Sequence, residues 1–123
     1  MGKYTFRKEE RLSKDKLIQE LFDKGSSFYL FPFKVFFMPN PDQDSPFHQV
    51  AISVSKRNFK RAVDRNLIKR RIREAYRLNK ELLSVRNKLL IAYIYSVKDI
   101  LPSAQIQERL VKTLKKLDHG EKN

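Results

Sequence analysis

Apolar side chains recur along this chain with two different periods, and the switches between them mark out its elements. Leu17, Ile18, Leu21 and Phe22 fall on one face of a short helix, with Ser13 as a candidate N-cap and Gly25 as a C-terminal stop. From Ser27 to Met38 the run is aromatic and β-branched, which predicts a strand, and Pro32 confines its first part to an edge or a bulge. The turn-rich stretch Pro39 to Pro46 then predicts a hairpin closing onto the next strand. There His48, Val50, Ile52 and Val54 alternate with Gln49, Ala51, Ser53 and Ser55, the period of two expected of a strand with one buried face and one small, polar exposed face. A long helix is predicted from about Lys60 to Leu82. Lys88 to Ser96 reads as a strand apolar on both faces, hence central in a sheet. Pro102 and Ser103 open a last helix that carries Ile106, Leu110, Leu114 and Leu117 at near-helical spacing. No internal repeat, linker or low-complexity tract interrupts this order, which predicts a mixed sheet packed with helices, an α+β or α/β sandwich.

Length and composition narrow the picture. A chain of 123 residues buries roughly two-thirds of its unfolded surface, enough for one core, so residues 1–123 are expected to form a single domain with flexible ends at 1–10 and 118–123. The absence of cysteine excludes a disulfide framework, a thiol nucleophile and any Cys-based metal site. The N-terminal residues are charged and no stretch approaches the roughly 18 apolar residues a membrane helix needs. A soluble, cytoplasmic protein without a membrane partner is expected. With nine Phe, five Tyr and 41% hydrophobic residues, the chain is too apolar to be only a disordered basic tail.

Charge changes the picture most. Lys and Arg total 27 against 14 Asp and Glu, a net +13. Lys56 to Arg77 holds ten basic residues and two acids, Asp64 and Glu74, so this one segment carries +8 of the total. A localised positive field on a folded domain favours a polyanion, because each neutralised phosphate releases counterions. At about 100° per residue, Arg61, Arg65, Asn66, Lys69, Arg70, Arg73 and Arg77 share one half of the predicted helix. Ile68, Ile72, Ala75 and Tyr76 form an apolar stripe suited to docking on a sheet. Both acids lie elsewhere on the wheel, so no acid relieves the repulsion along Arg65, Lys69, Arg73 and Arg77. A helix that was merely solvated would gain from interleaved acids. Arginine outnumbers lysine six to one from Arg61 to Arg77, which favours fixed forks onto phosphates. Val63 and Leu67 fall off the apolar stripe and are left for a loop or a partner to cover.

At these residues the sequence resembles the bacterial ribonuclease P protein family. That family carries an Arg-Asn-Arg motif opening a helix after a strand that ends Ser-x-Lys-Lys/Arg. Here SVSKR, Ser53 to Arg57, is followed by AVDRNLIKRRIREAYR, Ala62 to Arg77. RLSKDKLIQELFDKG, Arg11 to Gly25, is similar to the family's first helix, and the element order fits as well. Three departures stand out. Leu67 replaces the second Arg of the motif, whose contact is lost or supplied by a neighbour such as Arg71. Ala51 stands where the family often has Gly, and the strand near Ile94 and Tyr95 lacks a common Ala-Arg ending. The resemblance implies an α+β, two-layer αβββαβα sandwich, ribosomal-protein-like, with a left-handed βαβ crossover against the usual right-handed rule. It implies that Arg65, Asn66, Lys69, Arg70 and Arg73 face a catalytic RNA. A cleft walled by Ile18, Phe22 and Phe36, with Lys56 and Arg57 at its edge, would take the single-stranded 5′ leader of precursor tRNA. Aromatics beside cations suit a single strand, since bases stack and phosphates pair without demanding sequence.

A catalytic constellation is not expected in the protein. His48 opens a strand and His119 lies in the tail, so neither suggests a metal pair or a general base. The spacing of Asp15, Asp42, Asp44 and Asp64 does not suit two metals. The resemblance assigns the Mg2+ ions of phosphodiester hydrolysis to the RNA partner. A ribosomal RNA-binding protein would share the charge and fold without a leader cleft. Residues Lys60 to Arg77 could also read duplex DNA as a recognition helix, though no preceding helix and short turn complete that motif. A stand-alone metal nuclease is the third alternative.

Overall fold

A computed structural model of the chain describes the backbone of residues 6–122 and side chains through His119. After a short 3-10 turn at Lys8–Glu10 come α1 (Asp15–Lys24), β1 (Ser26–Leu30), β2 (Phe33–Pro39), β3 (Gln49–Val54), α2 (Ala62–Asn79), a second 3-10 turn (Lys80–Leu82), β4 (Leu89–Tyr95) and α3 (Ser103–Lys122). The four strands form one mixed sheet in the order β1-β2-β4-β3. β4 is the strand expected to be apolar on both faces, and it lies inside the sheet, antiparallel to β2 and parallel to β3. Alternation sorts its side chains. Leu89, Ile91, Tyr93 and Tyr95 join the cluster under α2 and α3, whereas Leu90 and Ala92 join Leu12 and Leu21 on the α1 side. Sheet and helices α2 and α3 make the two layers of the main core, and α1 lies across part of the other face.

The apolar stripes dock as their periods predict. Ile68, Ile72, Ala75 and Tyr76 of α2, and Ile106, Leu110, Leu114 and Leu117 of α3, are all buried. Burial of each large side chain contributes on the order of 2 kcal/mol. Polar groups inside this core are satisfied: the Tyr93 hydroxyl and Thr113 Oγ1 lie 2.8 Å apart, and Thr113 donates to the Leu110 carbonyl at 2.6 Å. Burial pushes the phenols of Tyr76, Tyr93 and Tyr95 up, so they stay neutral.

Three expectations need correction. The run from Ser27 to Met38 is two strands, because Phe31 and a cis-bonded Pro32 turn the chain back into a β1-β2 hairpin. Pro39 to Pro46 is not a hairpin turn, since β2 and β3 are separated by β4. That loop is pinned to the start of β4, where Asn40 N–H donates to the Lys88 carbonyl and Gln43 exchanges hydrogen bonds with Lys88 in both directions. Thirdly, α1 begins at Asp15 after Lys14, and no side chain caps it, Ser13 included. Gly25 does end the helix, but with an ordinary extended backbone (φ −73°). Glycine is needed there for space: a Cβ would strike the Leu21 carbonyl oxygen and lie 3.0 Å from the Phe37 carbonyl oxygen.

Within the segment 1–10, the Glu10 carboxylate is buried. It accepts from Lys80 Nζ at 2.7 Å and from Arg7 N–H at 2.7 Å, tying the N-terminal strap to the end of α2. Near the other end, Asp118 accepts from the Ser84 backbone N–H at 2.7 Å, and α3 continues helical to Lys122.

Candidate nucleic-acid interface

Docking the stripe of α2 on the sheet turns its arginine-rich half outward, between two concave surfaces. The first is a cleft of about 390 Å³ between α1, β3 and the near side of α2. Ile18 and Phe22 wall it from α1, Lys69 and Arg73 from α2, and the small side chains Ala51, Ser53 and Ala92 lower its floor. The second is an outward recess of about 430 Å³ along α2, lined by Val63, Asp64, Asn66, Leu67, Arg70 and Arg73. Arg73 lines both. Val63, 58% exposed, and Leu67 thus lie in this recess, uncovered by any loop of the described chain.

The cleft is aromatic as well as basic. Phe22 meets Phe36 edge to face, centroids 4.8 Å apart, and the Lys34 ammonium lies 5.4 Å from the centre of the Phe36 ring. Arg11 stands 5.5 Å over the Phe6 ring at the other side. Phe36 is half-buried in the cluster below α1, so it braces Phe22 rather than lining the cleft itself. Lys56 and Arg57 are exposed in the turn after β3 and contribute nothing to the lining of the cleft.

The basic residues divide into those that face solvent and those that hold the fold. Asn66 and Arg70 are exposed, and Lys69 and Arg73 half-exposed, on the two concave surfaces. Arg65 is partly spent on the fold: its Nη1 donates to the carbonyls of Phe59 and Lys60 at 2.7 and 3.0 Å, holding the loop that enters α2. Arg71, the candidate for the contact of the motif's second arginine, is not among the residues that line the recess. Its Nη1 donates to the Leu101 carbonyl at 2.7 Å, against the loop that leads to α3 and away from the recess. Nor is every charge on the face unrelieved. Glu74 receives two hydrogen bonds from Arg77, at 3.1 and 2.9 Å, and these hold its carboxyl below the usual range. Neighbours three apart on a helix meet, so angular separation alone underestimates the reach of two long side chains.

Phe6, Arg11, Leu12 and the floor residues Ala51, Ser53 and Ala92 also line the cleft, and sequence patterning does not mark them as site residues. The small exposed face of β3 is the available signal for Ala51 and Ser53. Leu12 is positioned by its N–H donating to the Val50 carbonyl at 2.9 Å, a pairing no local pattern encodes. His48 serves the fold. Its Nδ1 accepts from the Leu89 N–H at 2.9 Å, and burial, with the charge of Lys88, pulls its pKa down to about 4. Among the described residues no group of three or more His, Cys, Asp or Glu is placed to hold a metal ion, and no helix is long and apolar enough to cross a membrane.

A guanidinium-rich helix between two concave surfaces, one of them floored by small residues and walled by aromatic rings, defines a basic protein built to hold RNA. Comparison with known proteins makes this specific. The ribonuclease P family profile matches residues 6–118. The chain is 37% identical over 106 residues to the ribonuclease P protein component of Porphyromonas gingivalis, covering 83% of this chain and 77% of that one. The solved ribonuclease P protein of Staphylococcus aureus superposes with a TM-score of 0.72 at 30% identity, covering 87% of this chain and 94% of that one. That of Thermotoga maritima gives 0.71 at 27% identity, covering 87% and 96%. The chain belongs to the bacterial ribonuclease P protein family. It is the protein subunit of the tRNA 5′-processing endoribonuclease, a ribonucleoprotein in which it works with an RNA subunit.

Proposed function

We propose that the two concave surfaces divide the RNA partners between them. Asn66, Arg70 and Arg73, with the lower end of the recess formed by Val63 and Leu67, dock on the catalytic RNA. The cleft receives the single-stranded 5′ leader of precursor tRNA, with Phe22 and Ile18 against bases and Lys69 and Arg73 against phosphates. The observation that carries this reading is the position of Arg73, which lines the cleft and the recess at once. One guanidinium there can contact both RNAs, so binding the catalytic RNA brings the leader's path beside it. Arg65 serves the same face more by shaping the entry to α2 than by direct contact, and Lys56 and Arg57 supply field at the rim. Mg2+ is expected on the RNA subunit, where it would supply the activated water for hydrolysis. The protein's contribution is then affinity and orientation of the leader.

Salt dependence separates the two surfaces. Arg70→Ala is expected to weaken binding of the catalytic RNA and to reduce the slope of log affinity against log salt by about one contact. Phe22→Ala is expected to weaken precursor tRNA relative to mature tRNA by roughly fivefold or more, the loss of one stacked base. An unaltered slope for Arg70→Ala would return the helix face to mere solvation. Equal losses for precursor and mature tRNA with Phe22→Ala would remove the leader from the cleft.

A further inference from the structure

The sheet face that floors the cleft does not end where α1 ends. Strand register places Ser53, Ile94, Lys34 and Tyr29 in one row across β3, β4, β2 and β1, next to the row Ala51, Ala92, Phe36 and Ser27. Ser53 belongs to the cleft lining. Ile94 is half-exposed, Lys34 is exposed, and Tyr29 is 58% exposed at the sheet edge. None of the four strands contains an Asp or Glu. The row therefore runs from the cleft over an apolar step to a cation and then to an aromatic ring, three strand spacings or about 14 Å. Tyr29 belongs to neither buried cluster, and the Lys34 ammonium rests 5.4 Å from the half-buried Phe36 ring at the surface of one of them. The β1-β2 hairpin that presents them is held at its tip by Ser96, whose N–H and Oγ both donate to the Pro32 carbonyl, at 2.9 and 3.0 Å.

We propose that the single-strand track continues across this open face, with Lys34 as a phosphate contact and Tyr29 as a stacking subsite for nucleotides of the leader distal to the cleavage site. The proposal rests on the cleft's being the leader site. Its direction follows from the sheet order: β3 adjoins the α2 side of the cleft, where the catalytic RNA docks, and β1 is the strand farthest from it. Only the part of the leader far from the reacting bond reaches Tyr29. An exposed ring on strands without acids stacks on any base, and one lysine adds a phosphate contact, so the extension reads leader length rather than sequence.

The test uses the full chain assembled with its cognate ribonuclease P RNA and two fluorescent precursor tRNAs, one with a long leader and one with a leader cut back to its first few nucleotides. Tyr29→Ala is expected to weaken the long-leader substrate roughly fivefold or more and to leave the short one unchanged, whereas Tyr29→Phe keeps full binding. Lys34→Ala is expected to flatten the salt slope by about 0.7, one single-strand phosphate contact, again for the long leader only. Phe22→Ala reports on the cleft itself and weakens both substrates. If Phe22→Ala weakens both while Tyr29→Ala and Lys34→Ala change neither, the cleft stands and its extension is wrong. Equal losses on both leaders for Tyr29→Ala and Lys34→Ala also overturn the extension. If Phe22→Ala has no effect on either leader, the cleft reading itself fails. Tyr29 is exposed enough that its loss should not unfold the chain, and Lys34→Ala gives an independent reading should it do so.

Discussion

Arg65 and Arg70 stand on the same arginine-rich half of α2, and the fold uses them differently. Arg70 reaches into the outer recess, while Arg65 holds two carbonyls of the preceding loop. Charged hydrogen bonds to backbone are among the stronger local ties, discounted here by partial exposure. Arg65→Ala is accordingly expected to lower stability by about 1 kcal/mol in urea unfolding, against less than about 0.5 kcal/mol for Arg70→Ala; equal stabilities would place Arg65 wholly on the RNA side. His48 gives a second residue-scale expectation. Its pKa is depressed from 6.5 to about 4 in the fold, so between those values the unfolded chain binds the extra proton. Its contribution is fully present above about pH 6.5 and is lost as pH falls toward 4. Stability should fall over that window by something on the order of 2 kcal/mol, allowing for partial exposure, and His48→Gln should remove that part of the slope. A pH profile identical in the variant would contradict the assignment.

At the scale of elements, helices are easier to read from sequence than strand pairing. The stripes of α2 and α3 are built from residues three and four apart, so their buried faces are written locally, and Ile68, Ile72, Ile106 and Leu110 lie where the period puts them. The two-sided apolarity of Lys88 to Ser96 likewise announces a central strand. Pairing depends on partners far apart in sequence. The loop from Pro39 to Pro46 has the composition of a hairpin turn, yet Gln43 fastens it to Lys88, 45 residues away. The cleft is half legible for the same reason: Ile18 and Phe22 show helical spacing, while Phe6, Arg11 and Leu12 reach it only through the N-terminal strap. Gly25 shows how one residue couples two elements, because the end of α1 passes directly against β2. Gly25→Ala is expected to cost about 1–3 kcal/mol, since the added methyl meets backbone oxygens that cannot swing aside. A thermal midpoint unchanged by the substitution would show that α1 can shift to make room, and with it the cleft wall.

For the molecule as a whole, charge and architecture give one account. Of the net +13, +8 lies on Lys56 to Arg77, the loop after β3 and a helix whose opposite face is pinned to the core, so much of the field is presented in fixed geometry. The strap tied by the Glu10–Lys80 pair and the α1 wall close one side of the cleft, and the acid-free sheet leaves the other side open. The described residues form two concave surfaces with Arg73 lining both, and one RNA segment is proposed for each. The most direct test is cleavage of precursor tRNA at low Mg2+ by the cognate ribonuclease P RNA, with and without the protein, and with the Phe22→Ala and Arg73→Ala variants. The expected result is that the protein accelerates RNA-dependent removal of the leader, cuts nothing by itself, and loses most of its effect in both variants. Unchanged cleavage on adding the protein, or cleavage by the protein alone, would contradict the account.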